Sequence, residues 1–136
     1  MIQALEDAVV NRLADPLLAM GAKVLPLPDT ENLPRPTQSA QVFVAYLGAK
    51  FSGVQSFNSG QTRTLQIEII VQVKGLRTHQ GAYSTIEKIL GLLTNFQPFP
   101  REGYMMPDYD RFMEVDQGIW TYVLGFSVSV TYFGAR

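Results

Sequence analysis

The groups equipped for chemistry are few. His79 is the single histidine of the 136-residue chain, and there is no cysteine. Without cysteine the chain has no disulfides, no thiolate catalysis and no cysteine-ligated metal. One histidine excludes a multi-histidine metal site within one copy. As a general base, His79 needs an orienting carboxylate and a nucleophile nearby, and the sequence offers no pattern for either. A loop histidine beside a helix start is the simpler reading. The stretch P-D-Y-D-R-F-M-E-V-D groups Asp108, Asp110, Glu114 and Asp116. Hard cations favour grouped carboxylates, but a calcium loop needs a third ligand and a glycine at set offsets, at or near which Phe112 and Met113 stand. Asp108 and Asp110 read instead as a solvated turn, and Glu114 and Asp116 as an outward strand face. The glycines form neither G-x-G-x-x-G nor G-x-x-x-x-G-K-[ST], and no G-x-S-x-G elbow occurs. No catalytic residue, metal site or cofactor is expected, and the chain reads as non-enzymatic.

The elements that must position these residues are clearer. Residues 118–133 read G-I-W-T-Y-V-L-G-F-S-V-S-V-T-Y-F. Trp120, Tyr122, Leu124, Phe126, Val128, Val130 and Tyr132 share one parity, while Thr121, Val123, Gly125, Ser127, Ser129 and Thr131 share the other. Alternation of this kind is a strand with one apolar face and one mostly small, hydroxylated face. Fully extended it spans on the order of 50 Å, longer than an ordinary strand. It is either one long strand or one bent at Gly125, and it suits a sheet shared between partners or a ribbon reaching out of its own domain.

Ile2, Leu5, Val9 and Leu13 recur at helical spacing. Asp15-Pro16 then interrupts the helix, or Asp15 caps one further short turn that Gly21 ends. Residues 23–27 read as a short strand, and 26–39, with four prolines, as an extended surface segment. Residues 41–51 are apolar on both parities, as a strand covered on both faces would be. After the loop 52–61, residues 62–74 alternate, with Leu65, Ile67, Ile69, Val71 and Val73 facing the core. These two strands form a long antiparallel hairpin. Thr78 is placed to cap a second helix, 80–93, with Tyr83, Ile86, Ile89, Leu90 and Leu93 as its stripe. A proline-rich loop, 97–107, precedes a short strand, 111–115, and a tight turn at 116–118. The expected architecture is α+β: a mainly antiparallel sheet with long strands and two helices packed on one face.

Composition sets the outer bounds. A chain with 46% hydrophobic and 17% charged residues folds as a globular unit, and 136 residues suit a single domain over 1–136. Eleven basic against twelve acidic residues leave no footprint for phosphate backbones. No apolar run is long and helical enough to cross a bilayer, and the N-terminus lacks the basic region and apolar core of a signal peptide. A cytoplasmic place of assembly is expected. Phe96, Phe99, Tyr104, Met105, Met106, Tyr109 and Phe112 crowd the second proline-rich loop. Such enrichment suits a protein–protein contact, or equally a loop folded over the end of the core.

Several pieces recur in a recognisable order. They are I-Q-A-L-E-D-A-V-V-N-R-L, a V-x-P-L-P-like strand, V-F-V-A-Y-L-G-A-K-F, Q-T-R-T-L-Q-I-E-I-I-V-Q-V with Arg63 in a Q-x-R position, G-A-Y-S-T-I-E-K-I-L-G-L-L-T-N-F-Q-P, and R-F-M-E-V-D-Q-G-I-W-T-Y-V-L-G-F-S-V. In this order the chain resembles the small tail-terminator-like proteins of Mu-type contractile-tailed phages and related prophages. The resemblance implies a ring subunit, usually in six copies, that sits on the last tail-tube ring, stops tube and sheath polymerisation and presents a surface to the neck. The implied partners are further copies of the chain, the tail-tube protein, the sheath protein and a neck or head-connector protein. DNA only passes through the lumen, no membrane is involved, and the place is the head-proximal end of a virion tail assembled in the host cytoplasm. The resemblance carries no catalytic residues. The outward face of 118–133 and the hairpin 41–74 would supply ring and tube contacts. Interface candidates are Lys50, Phe51, Arg63, Phe99, Tyr104, Met105, Met106 and Tyr109. Arg63 would pair between subunits, its planar fork holding a carboxylate; a solvated arginine at a strand start is the other reading. Trp120 and Tyr122 belong to the core by parity. Other readings are a different neck or tail-completion ring protein, a phage-derived contractile injection device, or a small-molecule-binding or enzymatic domain using Asp108, Asp110, Glu114 and His79.

Overall fold

A computed structural model describes residues 1–29, 34, 36, 40–52, 60–77 and 81–133. Its elements run α1 (Ile2–Leu18), β1 (Ala22–Pro26), β2 (Ala40–Phe51), β3 (Gln61–Val73), α2 (Ala82–Leu93), β4 (Met106–Asp116) and β5 (Ile119–Tyr132). The strands form one sheet in the order β1-β2-β3-β5-β4. Only β1 and β2 pair in parallel; every other neighbour is antiparallel. Both helices lie on one face, α1 against β1 and β2, and α2 against β3, β4 and β5. The fold is the expected α+β arrangement.

Helix α1 forms because Leu5, Val9, Leu13 and Leu17 recur every four residues and all are fully buried. The expected break at Asp15-Pro16 does not occur; Pro16 lies inside the helix. An interior proline costs about 3 kcal/mol, but burying Leu17 returns roughly 1.5–3 kcal/mol. Gly21, at φ +81, then ends the element. The Arg12 guanidinium stitches α1 to the end of α2. Its Nε donates to the Leu92 carbonyl at 3.0 Å, and it lies 5.2 Å from the Phe96 ring centre.

Strand β3 is the spine of the core. Leu65, Ile67, Ile69, Val71 and Val73 are buried as alternation predicts, opposite Val128, Phe126, Leu124, Tyr122 and Trp120 of β5. Helix α2 begins at Gly81, and its buried stripe is Ala82, Thr85, Ile86, Ile89 and Leu93. Tyr83, expected within that stripe, is exposed, and Leu90 only partly buried. Thr78, read as the cap, lies outside the described residues.

The sheet face away from the helices is also partly covered. Phe43, Ala45, Thr121 and Val123 are buried there, outside the main core cluster. Pro36 is buried too, and the Pro34 carbonyl accepts a hydrogen bond from Gln41 Nε2 at 2.9 Å. The first proline-rich segment is thus buried at Pro36, while exposed Pro34 is tied to β2 by that hydrogen bond. The hydroxylated parity of β5 is accordingly not all outward.

The largest departure is β4. Sequence predicts a short strand over 111–115 after a loop; the strand runs eleven residues from Met106, and every one of them is exposed. Asp108 and Asp110 therefore sit on a strand and not in a solvated turn. A two-residue turn joins β4 to β5, with Gln117 at φ +50 and Gly118 at φ +80, the left-handed pair a tight hairpin requires.

Candidate assembly surfaces

The free end of β2, β3 and β5 carries the first cluster. A register shift between Tyr46 and Gly48 of β2, with Gly48 at φ +147, reverses side-chain parity along the strand. Tyr46, before the bulge, and Phe51, after it, thus share the helix-bearing face. There Phe51 pairs with Arg63, and Tyr132 stands opposite Gln61. The Phe51 and Tyr132 rings meet edge to face at 5.4 Å. The Arg63 guanidinium lies over both, 5.6 Å from the first ring centre and 5.8 Å from the second. Its Nη2 donates to the Tyr46 hydroxyl at 3.4 Å, and its buried Nε has no acceptor among the described residues. Lys50 is exposed on the same strand end, paired with Thr64. Parity hides that Tyr46 and Phe51 share a face, because the β2 bulge lies between them, and Tyr132 comes beside Arg63 only through the β3–β5 register.

The second cluster is the loop between α2 and β4. Met105 N–H donates to the Phe96 carbonyl at 2.7 Å, and Asn95 N–H to the Met105 carbonyl at 2.8 Å. Gly103 N–H reaches the Ser129 carbonyl at 3.0 Å, and the Glu102 carboxylate accepts from Thr131 N–H at 3.0 Å. These bonds press the loop onto β5. Met105 is fully buried and Phe99 packs partly buried against the core. Met105 is therefore corrected from contact residue to core residue: the chain itself covers it. Tyr104 and Met106 remain exposed.

The third surface is β4. Asp108, Asp110, Glu114 and Asp116 project from it with a single arginine, Arg111, between them. Phe112, Met113 and Val115 are exposed as well. Phe112 leans on Trp120 and Tyr122, at ring separations of 6.0 and 5.5 Å, so these aromatics form a half-buried shelf at the core's edge. The polar groups considered for chemistry are strung along a strand, and His79 lies outside the described residues.

Tyr109 crosses the sheet. Its ring lies on Gly125, where an added Cβ would collide with it, and its hydroxyl donates to Glu68 on β3 at 2.5 Å. An aromatic laid over a strand glycine fills the gap that the missing side chain leaves. The phenol is pushed up to about 12, first by partial burial, then by the Glu68 hydrogen bond and charge. Tyr122 is raised as well, by burial first and then by Tyr83. Since the folded Tyr109 value lies above the ordinary 10.0, its contribution is intact below pH 10 and lost as pH rises toward 12. Replacing Tyr109 by phenylalanine should flatten the fall in melting temperature over that window, leaving the Tyr122 share. Identical pH profiles for the two proteins would show that Tyr109 is not bonded to Glu68.

Against known proteins, the family model for the Gp37 protein matches residues 9–133. The chain belongs to the Gp37 family. No curated protein matches this Gp37-family chain. Among solved structures, it is similar to a chain from a structure described as the virion of native gene transfer agent (GTA) particle. The two are 16% identical, the match covers 96% of each chain, and the TM-score is 0.58. At that identity the likeness establishes a shared fold. Family and fold together agree with the resemblance to tail-terminator-like proteins.

Proposed function

We propose that this chain is a structural subunit of a phage-type virion. Copies of it close into a ring, of six in this reading, on the end of the tail tube. The ring stops tube and sheath polymerisation and offers its far side to the neck or head connector. The observation that carries the reading is the end-to-end fold match, covering 96% of both chains, to a component of an assembled gene transfer agent particle. Two features of the fold support it. One is a strand of eleven exposed residues that includes Phe112, Met113 and Val115. The other is an arginine on an aromatic pair at the opposite end of the sheet. A chain with nearly balanced charge also suits a lumen through which DNA slides, since tight phosphate binding would retard passage. The chain works by contact, with tube, sheath and neck as partners and no cofactor.

Deleting the gene from a producing phage or prophage tests the role. Electron microscopy should then show tails of uncontrolled length, or finished tails that fail to join heads. Particles with tails of normal length, joined efficiently to heads, would overturn the terminator reading.

A further inference from the structure

We propose that Arg63 is the cationic half of a head-to-tail contact between copies of this chain, and that the acidic half is the hairpin end of β4, Glu114 and Asp116, on the neighbouring copy. This deepens the ring reading and rests on it.

Among the described residues, nothing completes the hydrogen bonding of Arg63. The guanidinium lies 5.6 and 5.8 Å from the Phe51 and Tyr132 ring centres, and Tyr46 accepts from one nitrogen at a long 3.4 Å. Its Nε has lost water and gained no acceptor. A buried donor left unpaired is costly, and native structures carry few of them. Aromatic faces stabilise a cation but accept no N–H in the guanidinium plane, so the outer nitrogens keep their donors. No carboxylate pairs with Arg63 among the described residues. A carboxylate brought to this fork would form charge-assisted hydrogen bonds with little ordering cost, because the ring contacts already restrict the side chain.

The chain carries that carboxylate at its other end. Glu114 and Asp116 are exposed, lie opposite Thr121 and Ile119, and form no ion pair among the described residues. Arg63 lies opposite Val130. Nine residues of strand separate the two levels, about 30 Å at 3.3 Å per residue. The two groups cannot meet within one molecule, so their pairing joins different ends of two copies. A head-to-tail contact of this kind closes into a ring when its rotation permits, whereas a two-fold contact stops at a dimer. The edge of β4 argues for side-chain pairing over strand addition. It carries Pro107, charged residues and two register shifts, between Pro107 and Tyr109 and between Phe112 and Glu114, all of which obstruct a further strand.

The test is charge exchange in the full-length chain, read as native mass across a wide concentration range. Wild type should give a closed oligomer. Arg63→Glu alone and Glu114→Lys with Asp116→Lys should each shift the association midpoint upward by about thirtyfold or more. Equal parts of the two variants should assemble again, in alternation, because one then carries two acidic ends and the other two basic ends, and every contact joins opposite charges. The melting temperature of each variant confirms that it folds, and Arg63→Gln serves if Arg63→Glu does not. An Arg63→Glu protein that assembles like wild type overturns the contact and leaves the ring reading standing. Failure of the mixture to reassemble likewise assigns Arg63 another partner. A wild-type chain that remains monomeric throughout overturns the self-contact, and the tails of the deletion strain then decide the terminator role separately.

Discussion

Replacing Phe126 by alanine should remove about 3–5 kcal/mol of stability, while the same change at Phe112, one strand away, should remove about 1 kcal/mol. Phe126 sits mid-strand in β5 between Ile67 of β3 and Pro107 of β4, fully buried in the core cluster. Its loss leaves a cavity walled by a sheet that is paired on both sides and cannot collapse inward. Phe112 is 49% exposed, and its ring contacts among the described residues are with Trp120 and Tyr122. A folded chain of this size holds about 5–15 kcal/mol in total, so the first change brings it near the edge of folding and the second does not. Urea unfolding decides it, through a midpoint that falls sharply for Phe126→Ala and slightly for Phe112→Ala with unchanged slopes. Equal losses would mean that the exposed shelf on β4 belongs to the core and is not available to a partner. The contrast also has a use. Because Phe112→Ala leaves the fold intact, any assembly defect in that variant reports a lost contact.

Much of this core was legible because alternation is a local signal. Leu65 to Val73 and Leu124 to Val130 follow a period of two without interruption, and both strands bury those residues. The hidden parts are those where one residue changes the period or a distant segment changes the exposure. The shift beside Gly48 turns Phe51 onto the face of Tyr46, so the partners of Arg63 could not be read from parity. Val123 and Thr121 read as outward, yet both are buried, and on the same face Gln41 reaches the Pro34 carbonyl of a remote segment. Pro16 read as a stop because the local rule against interior proline is strong, but Leu17 is buried by tertiary contact, which the local rule does not include. Pro107 and the carboxylates of β4 resemble a loop, so local composition shortens the strand. Its strand state comes from pairing with β5, not from its own composition. Arg63 was found as a residue type suited to pairing, whereas its aromatic support and its unpaired Nε are visible only in three dimensions.

Two glycine-to-alanine changes should move stability in opposite directions, and the difference measures how firmly the loop before β4 is fastened. A Cβ at Gly103 would stand 2.7 Å from the Ser129 carbonyl oxygen and 3.3 Å from the Ser129 nitrogen. Both are backbone atoms of β5, so neither swings aside as a side chain would. The loop must lift, stretching the Gly103 to Ser129 bond and the neighbouring grip of Glu102 on Thr131. The expected loss is about 1–3 kcal/mol. At Gly91, within α2, an added Cβ meets nothing within 4 Å. There alanine removes backbone freedom from the unfolded chain and should add about 0.5–1 kcal/mol. Denaturation of the two variants beside wild type checks both signs. A Gly103→Ala protein as stable as wild type would show that the loop is loosely held and that Met105 is buried only incidentally. A clear loss would establish that the loop is clamped before assembly, so that Tyr104 and Met106 are presented to a partner on a rigid support and lose little entropy when it binds.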